Sequence, residues 1–360
     1  MYLKSISNYR AIAIIAIVAS HIYGFGLSSP DPVTYFIKSI ITGSTGLFVF
    51  ISGFMFYYVF YKKYEYKHFI KNKILNIGVP YSILAIIAIC ITYFLSSGYF
   101  NANSLSSYSY RDGIIFKVED STFTIVLKYY ATGRFLTAYW YIPFALILFA
   151  SAPIHIFFIS LRKRLQLEVV ILLSLVSIFG HRPVAETNPF QSLVYYTPIY
   201  LIGILVAMNR NKVKVTIENK KAVIILIFLV FTFTIVQYST GHIGNYNKLF
   251  FYFDGMDFMY LQKISLILLV YIFLEKYSFN LYFIDVISKT SFSIFFIHPW
   301  LIILFKEIFY NLGFVFYPEE NNLFLYMFML VLILSISVLI SLSIKKSFKY
   351  SIKTRYLIGY

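Results

Sequence analysis

Arg10 and His21 stand eleven residues apart in YRAIAIIAIVASHIYG, residues 9–24, with no charged residue between them. At 1.5 Å and 100° per residue, eleven steps make about three turns. The two side chains therefore share one helix face, roughly 16 Å apart. If this run crosses a bilayer, Arg10 lies at its mouth and His21 well inside, where an ionisable group is costly and marks a candidate functional site. An imidazole there has the chemistry to take up a proton and return it near neutral pH. A histidine near the far interface that only hydrogen-bonds a neighbour fits the same spacing.

The elements that would hold such a pair are membrane helices. Of 360 residues, 59% are hydrophobic, 21% aromatic and 13% charged, against about 25% charged in soluble domains. The chain reads as an all-α, polytopic integral membrane protein with about ten transmembrane helices, near 9–27, 43–61, 77–96, 137–160, 167–181, 192–208, 222–239, 258–275, 289–309 and 323–344. The fifth is short, and suits a tilted or re-entrant segment. With the N-terminus in the cytoplasm, 22 of the 31 Lys and Arg fall on the inner side and 10 of the 15 acids on the outer. That asymmetry puts both termini inside. The net charge of +16 thus reads as topology, with no nucleic-acid partner expected. Cys90 is the single cysteine, so neither a disulfide framework nor a cysteine metal site can form, and no metal is expected. The first run lacks a small-residue cleavage site and reads as a retained helix. Residues 1–345 form one transmembrane domain and 346–360 a basic cytoplasmic tail.

Three connecting segments carry polar chemistry. Residues 97–135 form the longest outer connection, rich in Tyr and Asn that would suit a sugar, although a simple cover over the bundle fits as well. Residues 240–257 bring His242, Asp254 and Asp257 to the outer mouth, where either aspartate could orient a buried imidazole or cap a helix. The inner stretch YKKYEYKHFIKNKILNIGVPY carries Lys62, Lys63, Lys67, Lys71 and Lys73. Positive-inside topology accounts for it, and so would binding of phosphates. No Walker loop or GxGxxG accompanies these cations, so an ordinary soluble nucleotide fold is excluded.

Several of these residues together resemble a known family. Arg10 and His21 are similar to the Arg-x10-His signature of the integral-membrane acyltransferase 3 family. GSTGLFVFISGFMF (43–56) resembles its Gly-rich second span ending in Ser-Gly-Phe, and the lysine-rich stretch ending in GVPY takes the place of its Arg-x-x-Arg element. AYWYIPFALILFASAP (138–153) is similar to its Trp-Phe span. SFSIFFIHPWLI (291–302) resembles its Ser-x-x-Ile-Tyr-x-x-His-Pro segment.

The resemblance implies a membrane O-acyltransferase of the bacterial cytoplasmic membrane. It would move an acyl group, acetyl by expectation, from cytosolic acyl-CoA to a hydroxyl of a surface polysaccharide or its lipid-linked precursor. His21 is then the base, Arg10 and Lys73 hold the coenzyme A phosphates, and Trp140, Ser291 and His298 line the substrate path. Membrane lipid and polysaccharide-synthesis machinery are the implied partners. The chain departs from the family at Lys73-Ile74-Leu75-Asn76, where Asn76 stands in the place of the second cation. Lys73 also lacks the bidentate fork of arginine. Taken singly, Trp140 reads equally as an interfacial aromatic and His298 as a packed helix-end histidine. Two other functions fit ten helices with a buried histidine: a glycan or glycolipid transporter, and a scaffold in a synthase complex.

Overall fold

The structure is a computed structural model that describes residues 3–28, 31–95, 120–211, 220–241, 248, 255–314, 320–348 and 354–359. Among these the regular elements are helices, joined by one isolated bridge between Pro183 and Lys248. In chain order they are α1 (Lys4–His21), α2 (Pro32–Ile41), α3 (Thr45–Met55), α4 (Tyr66–Lys73), α5 (Val79–Leu95), α6 (Thr122–Thr132), α7 (Tyr141–Ala150), α8 (Ala152–Ser160), α9 (Lys163–Gly180), α10 (Pro189–Met208), α11 (Lys220–Ser239), α12 (Phe258–Lys276), α13 (Tyr282–Asn311), α14 (Leu323–Ser347) and α15 (Arg355–Ile358).

Seven helical stretches among the described residues are long and apolar enough to cross a membrane, eight if α7 and α8 count as one broken span. The expectation of about ten also counts α1 and α9. Their ends carry the polar groups that dilute them: Lys4, Ser5, Ser7, Asn8 and Arg10 in α1, and Lys163, Arg164 and Glu168 in α9. The stretch expected as one helix over 137–160 bends by 52° between α7 and α8. Pro153 stands at the start of α8, where its missing N–H and its ring end the preceding hydrogen-bond ladder.

Two packing relations set up the centre of the bundle. First, α1 and α13 run side by side in the same direction. Lys4 Nζ pairs with Asp285 at 2.8 Å, Ser7 Oγ donates to Ser288 Oγ at 2.9 Å, and His21 meets His298 at the other end. The sequence offset is 281 residues at the first two contacts and 277 at the third. The helices have slipped past one another by about one turn, as crossing helices do. Second, α3 and α10 touch backbone to backbone. A Cβ on Gly53 would fall onto the Tyr200 carbonyl, and one on Gly203 onto that of Phe50. Close approach through small residues is how helices associate in lipid, where no hydrophobic force drives them together.

A break between α2 and α3 then aims the start of α3 at His21. Gly43 adopts φ +78°, a left-handed conformation that favours glycine. The last carbonyls of α2, which have no helical partner, are met by the buried ammonium of Lys263 on α12, 2.7 Å from Ser39 O and 2.8 Å from Ile40 O. Tyr23 Oη and Thr42 Oγ1 lie 2.8 Å apart across the same corner. At the other end of α2, Asp31 caps the helix by accepting from the Val33 and Thr34 amides, and the Thr34 amide holds its carboxyl below the ordinary range.

Candidate functional site

His21 is the last residue of α1, but it does not lie at the edge of the bundle. Its Nδ1 is 3.2 Å from Nε2 of His298, with ring centroids 5.3 Å apart and planes inclined by 19°. His298 is fully buried, 16 residues from the start of the 30-residue α13 and 13 from its end. The pair therefore sits near mid-height of a helix about 45 Å long. On its other side, His298 Nδ1 is 2.9 Å from the carbonyl of Ile294. Pro299, the next residue, supplies no N–H to the Phe295 carbonyl.

A small cavity adjoins His21. It is walled by Ile17 and His21 of α1, Thr45 and Phe48 of α3, Ala138, Trp140 and Tyr141 at the entry to α7, and Phe292 and Phe295 of α13. Its volume is only about 10 Å³, space for one small group. Trp140 is held here through its neighbour: Tyr139 Oη donates to Phe296 O at 2.8 Å and accepts from Trp300 Nε1 at 3.1 Å. Behind Trp140 lies Arg182, with its guanidinium 5.5 Å from the indole centre and 5.8 Å from the ring of Tyr196. Arg182 is buried and ion-paired to Glu186, and its charge reaches His21. Arginine stacking on indole is a favourable cation–π arrangement. The sequence reading passed over Arg182, because one cation after a short span looks like a loop charge.

A second cavity lies along the same three helices, toward the Lys4 end. Its walls are Leu3, Ile6, Ser7 and Arg10 of α1, Met55 at the end of α3 with Tyr58 just beyond, and Ser288 and Lys289 of α13. At about 140 Å³ it is far roomier, and its walls carry two cations, three hydroxyls and, among the described residues, no carboxylate. From Arg10 to Ile17, and from Met55 to Phe48, is seven residues, about 10 Å of helix. The two cavities are thus stations on one seam between α1, α3 and α13.

The residues expected from sequence divide accordingly. Arg10 lines the roomy cavity, and His21 and Trp140 line the small one. His298 touches His21 and is not among the wall residues of either cavity. Ser291 is buried and lines neither; Ser288, one turn earlier, is the serine at the Arg10 cavity. Lys73 is also away from it. Its ammonium lies 4.3, 4.8 and 5.1 Å from the ring centres of Phe149, Phe60 and Phe69, and Lys289 occupies the position beside Arg10. Asn76 donates to Asn72 O within its own helix at 2.6 Å. Asp257 does not reach the histidines either. It caps α12 through the Tyr260 amide and accepts from Tyr195 Oη at 2.9 Å, with burial raising its carboxyl to about 6. His242, Asp254 and residues 97–119 of the long connection lie outside the described residues. No group of three or more metal-ligating side chains forms among those described.

A bundle of apolar helices with a histidine pair at its centre and a cationic cavity below it defines a multi-pass membrane protein with a buried polar site. The chain belongs to the acyltransferase 3 family, an acyltransferase domain that matches residues 3–342, and is a membrane acyltransferase. Comparison with curated proteins and with solved structures found no match.

Proposed function

We propose that the protein is an O-acyltransferase of the bacterial cytoplasmic membrane, with both termini in the cytosol. It moves an acyl group, acetyl in the simplest case, from acyl-CoA to a hydroxyl of a surface polysaccharide or its lipid-linked precursor. The observation that carries this reading is the seam itself: a roomy cationic cavity at Arg10 and a tight cavity at His21, roughly 16 Å away on the same helix face. Phosphates cannot enter a bilayer core unaided, so the donor's charged end rests against Arg10 and Lys289, where guanidinium and ammonium make charge-assisted hydrogen bonds. The thin pantetheine arm then runs along the seam past Phe292 and Phe48.

The reaction needs one proton moved twice. The His21 ring accepts the proton of the sugar hydroxyl as its oxygen bonds to the thioester carbonyl carbon. The tetrahedral intermediate collapses with cleavage of the carbon–sulfur bond, and His21 returns the proton to the departing thiolate. Ester and free thiol are the products, and no metal or redox partner is needed. Trp140 walls the same small cavity, and on this reading its indole would meet the arriving sugar.

The test is NMR of surface polysaccharide purified from wild-type, deletion and His21→Ala strains. The expected result is polymer of normal amount lacking its O-acyl signals in both mutants. Loss of the polymer itself would favour a transporter, and full acylation in His21→Ala would leave only a scaffold.

A further inference from the structure

We propose that His298 is the positioning residue for His21, doing with a second imidazole what a carboxylate does elsewhere: it selects the His21 tautomer and aims its free nitrogen at the cavity. This rests on the reading of His21 as the base. The argument is one of donors and acceptors. Backbone carbonyls only accept, so the 2.9 Å contact to Ile294 O puts a proton on His298 Nδ1. A neutral imidazole then has a bare Nε2, which can only accept. That atom lies 3.2 Å from His21 Nδ1, so His21 Nδ1 carries the proton of the shared hydrogen bond. His21 Nε2, on the opposite edge of the ring, is left with its lone pair, and His21 is the residue of the two that walls the small cavity.

Each link has a structural anchor. His298 is fully buried between Phe295 and the His21 ring, which it stacks against at 19°. The Ile294 carbonyl comes from its own helix, one turn back, so it cannot move away without unwinding α13. In serine hydrolases, holding a histidine in the wrong tautomer costs about 10⁴ in rate although the residue itself is unchanged. His298 controls the same property here without touching the reacting atoms.

The direct experiment is ¹⁵N solid-state NMR of histidine-labelled protein in lipid nanodiscs, with the His21 signals assigned by their loss in His21→Asn. The expected pattern is a protonated Nδ1 and a bare Nε2 on His21, with Nδ1 protonated on His298. Proton on His21 Nε2, or a doubly protonated His298, overturns the proposal. In cells, His298→Ala is expected to cut O-acyl content of the polysaccharide by about a hundredfold or more, in the range of general-base catalysis. His298→Gln, whose amide oxygen still accepts from His21 Nδ1–H, restores it to within about tenfold, whereas the apolar His298→Phe does not. Equal activity of the Gln and Phe variants also overturns it. If His21→Ala itself leaves the polysaccharide acylated, the acyl-transfer reading fails first. If His21→Ala is inactive and His298→Ala is not, the positioning role alone fails.

Discussion

The two cavities on the α1–α3–α13 seam are built from the same three helices and differ in nearly every other respect. The one at Arg10 is roomy and edged by two cations and three hydroxyls; the one at His21 is fourteen times smaller by volume and mainly aromatic and aliphatic. On the proposed function, the difference would separate recognition of charge from chemistry on an uncharged group. A cation is cheap where solvent reaches it and costly at mid-membrane: Arg10 and Lys289 wall the roomy cavity, whereas among the described residues no cation walls the small one, and Arg182, behind Trp140, is ion-paired to Glu186. One helix, α1, carries Arg10 and His21, which fixes the separation of the two cavities without any loop.

That comparison can be broken by four substitutions. The largest effect is expected for His21→Ala: transfer falls about a thousandfold, in the range lost with a general base, while binding of a fluorescent acyl-CoA analogue to protein in nanodiscs is unchanged. If binding falls with transfer, the two cavities are not separable. Arg10→Ala should do the reverse, raising KM for acetyl-CoA by about 10- to 100-fold, the worth of one charge-assisted contact, with kcat within about twofold. Lys289→Ala is expected to raise the same KM about fivefold, since the residue is exposed and an ammonium is less directional than a guanidinium. Smallest is Lys73→Ala, for which KM should stay within about twofold. Its loss would show instead as a melting temperature lowered by a degree or two, from the stacking of its ammonium on three rings. A larger KM effect at Lys73 than at Lys289 would overturn the assignment of the donor site.

The relations legible in the sequence are the local ones. Arg10 and His21 share a helix, and periodicity alone puts them on one face. The Gly-rich run 43–56 stood out only through the family resemblance, and its Gly53 is where the backbone of α10 approaches. What could not be read was long-range. The His21–His298 contact joins residues 277 apart, and only a family resemblance drew attention to His298. Lys289 was counted as one cation among many on the basic side, because its position beside Arg10 depends on how α13 lies along α1. Lys73 drew attention through the family resemblance and because it sits in a dense basic cluster, which Lys289 does not. The π-helical turns Phe56–Phe60 and Ile74–Gly78 flank it on the chain, and its ammonium ends among rings. Local wrapping of that kind leaves no periodic signal. The bend before Pro153 was legible in principle, since a proline within an expected span predicts it.

The tightness of the space at His21 has a consequence for side reactions. A thioester is open to any hydroxyl that a base can activate, and water is the commonest. Before donor and acceptor widen it, the space has room for hardly more than a single solvent molecule, and with greasy rings on most sides it holds little water to compete with the intended alcohol for a donor carbonyl delivered there. Enlarging that space, as Phe48→Ala would do, is the change expected to turn a transferase into a wasteful thioesterase.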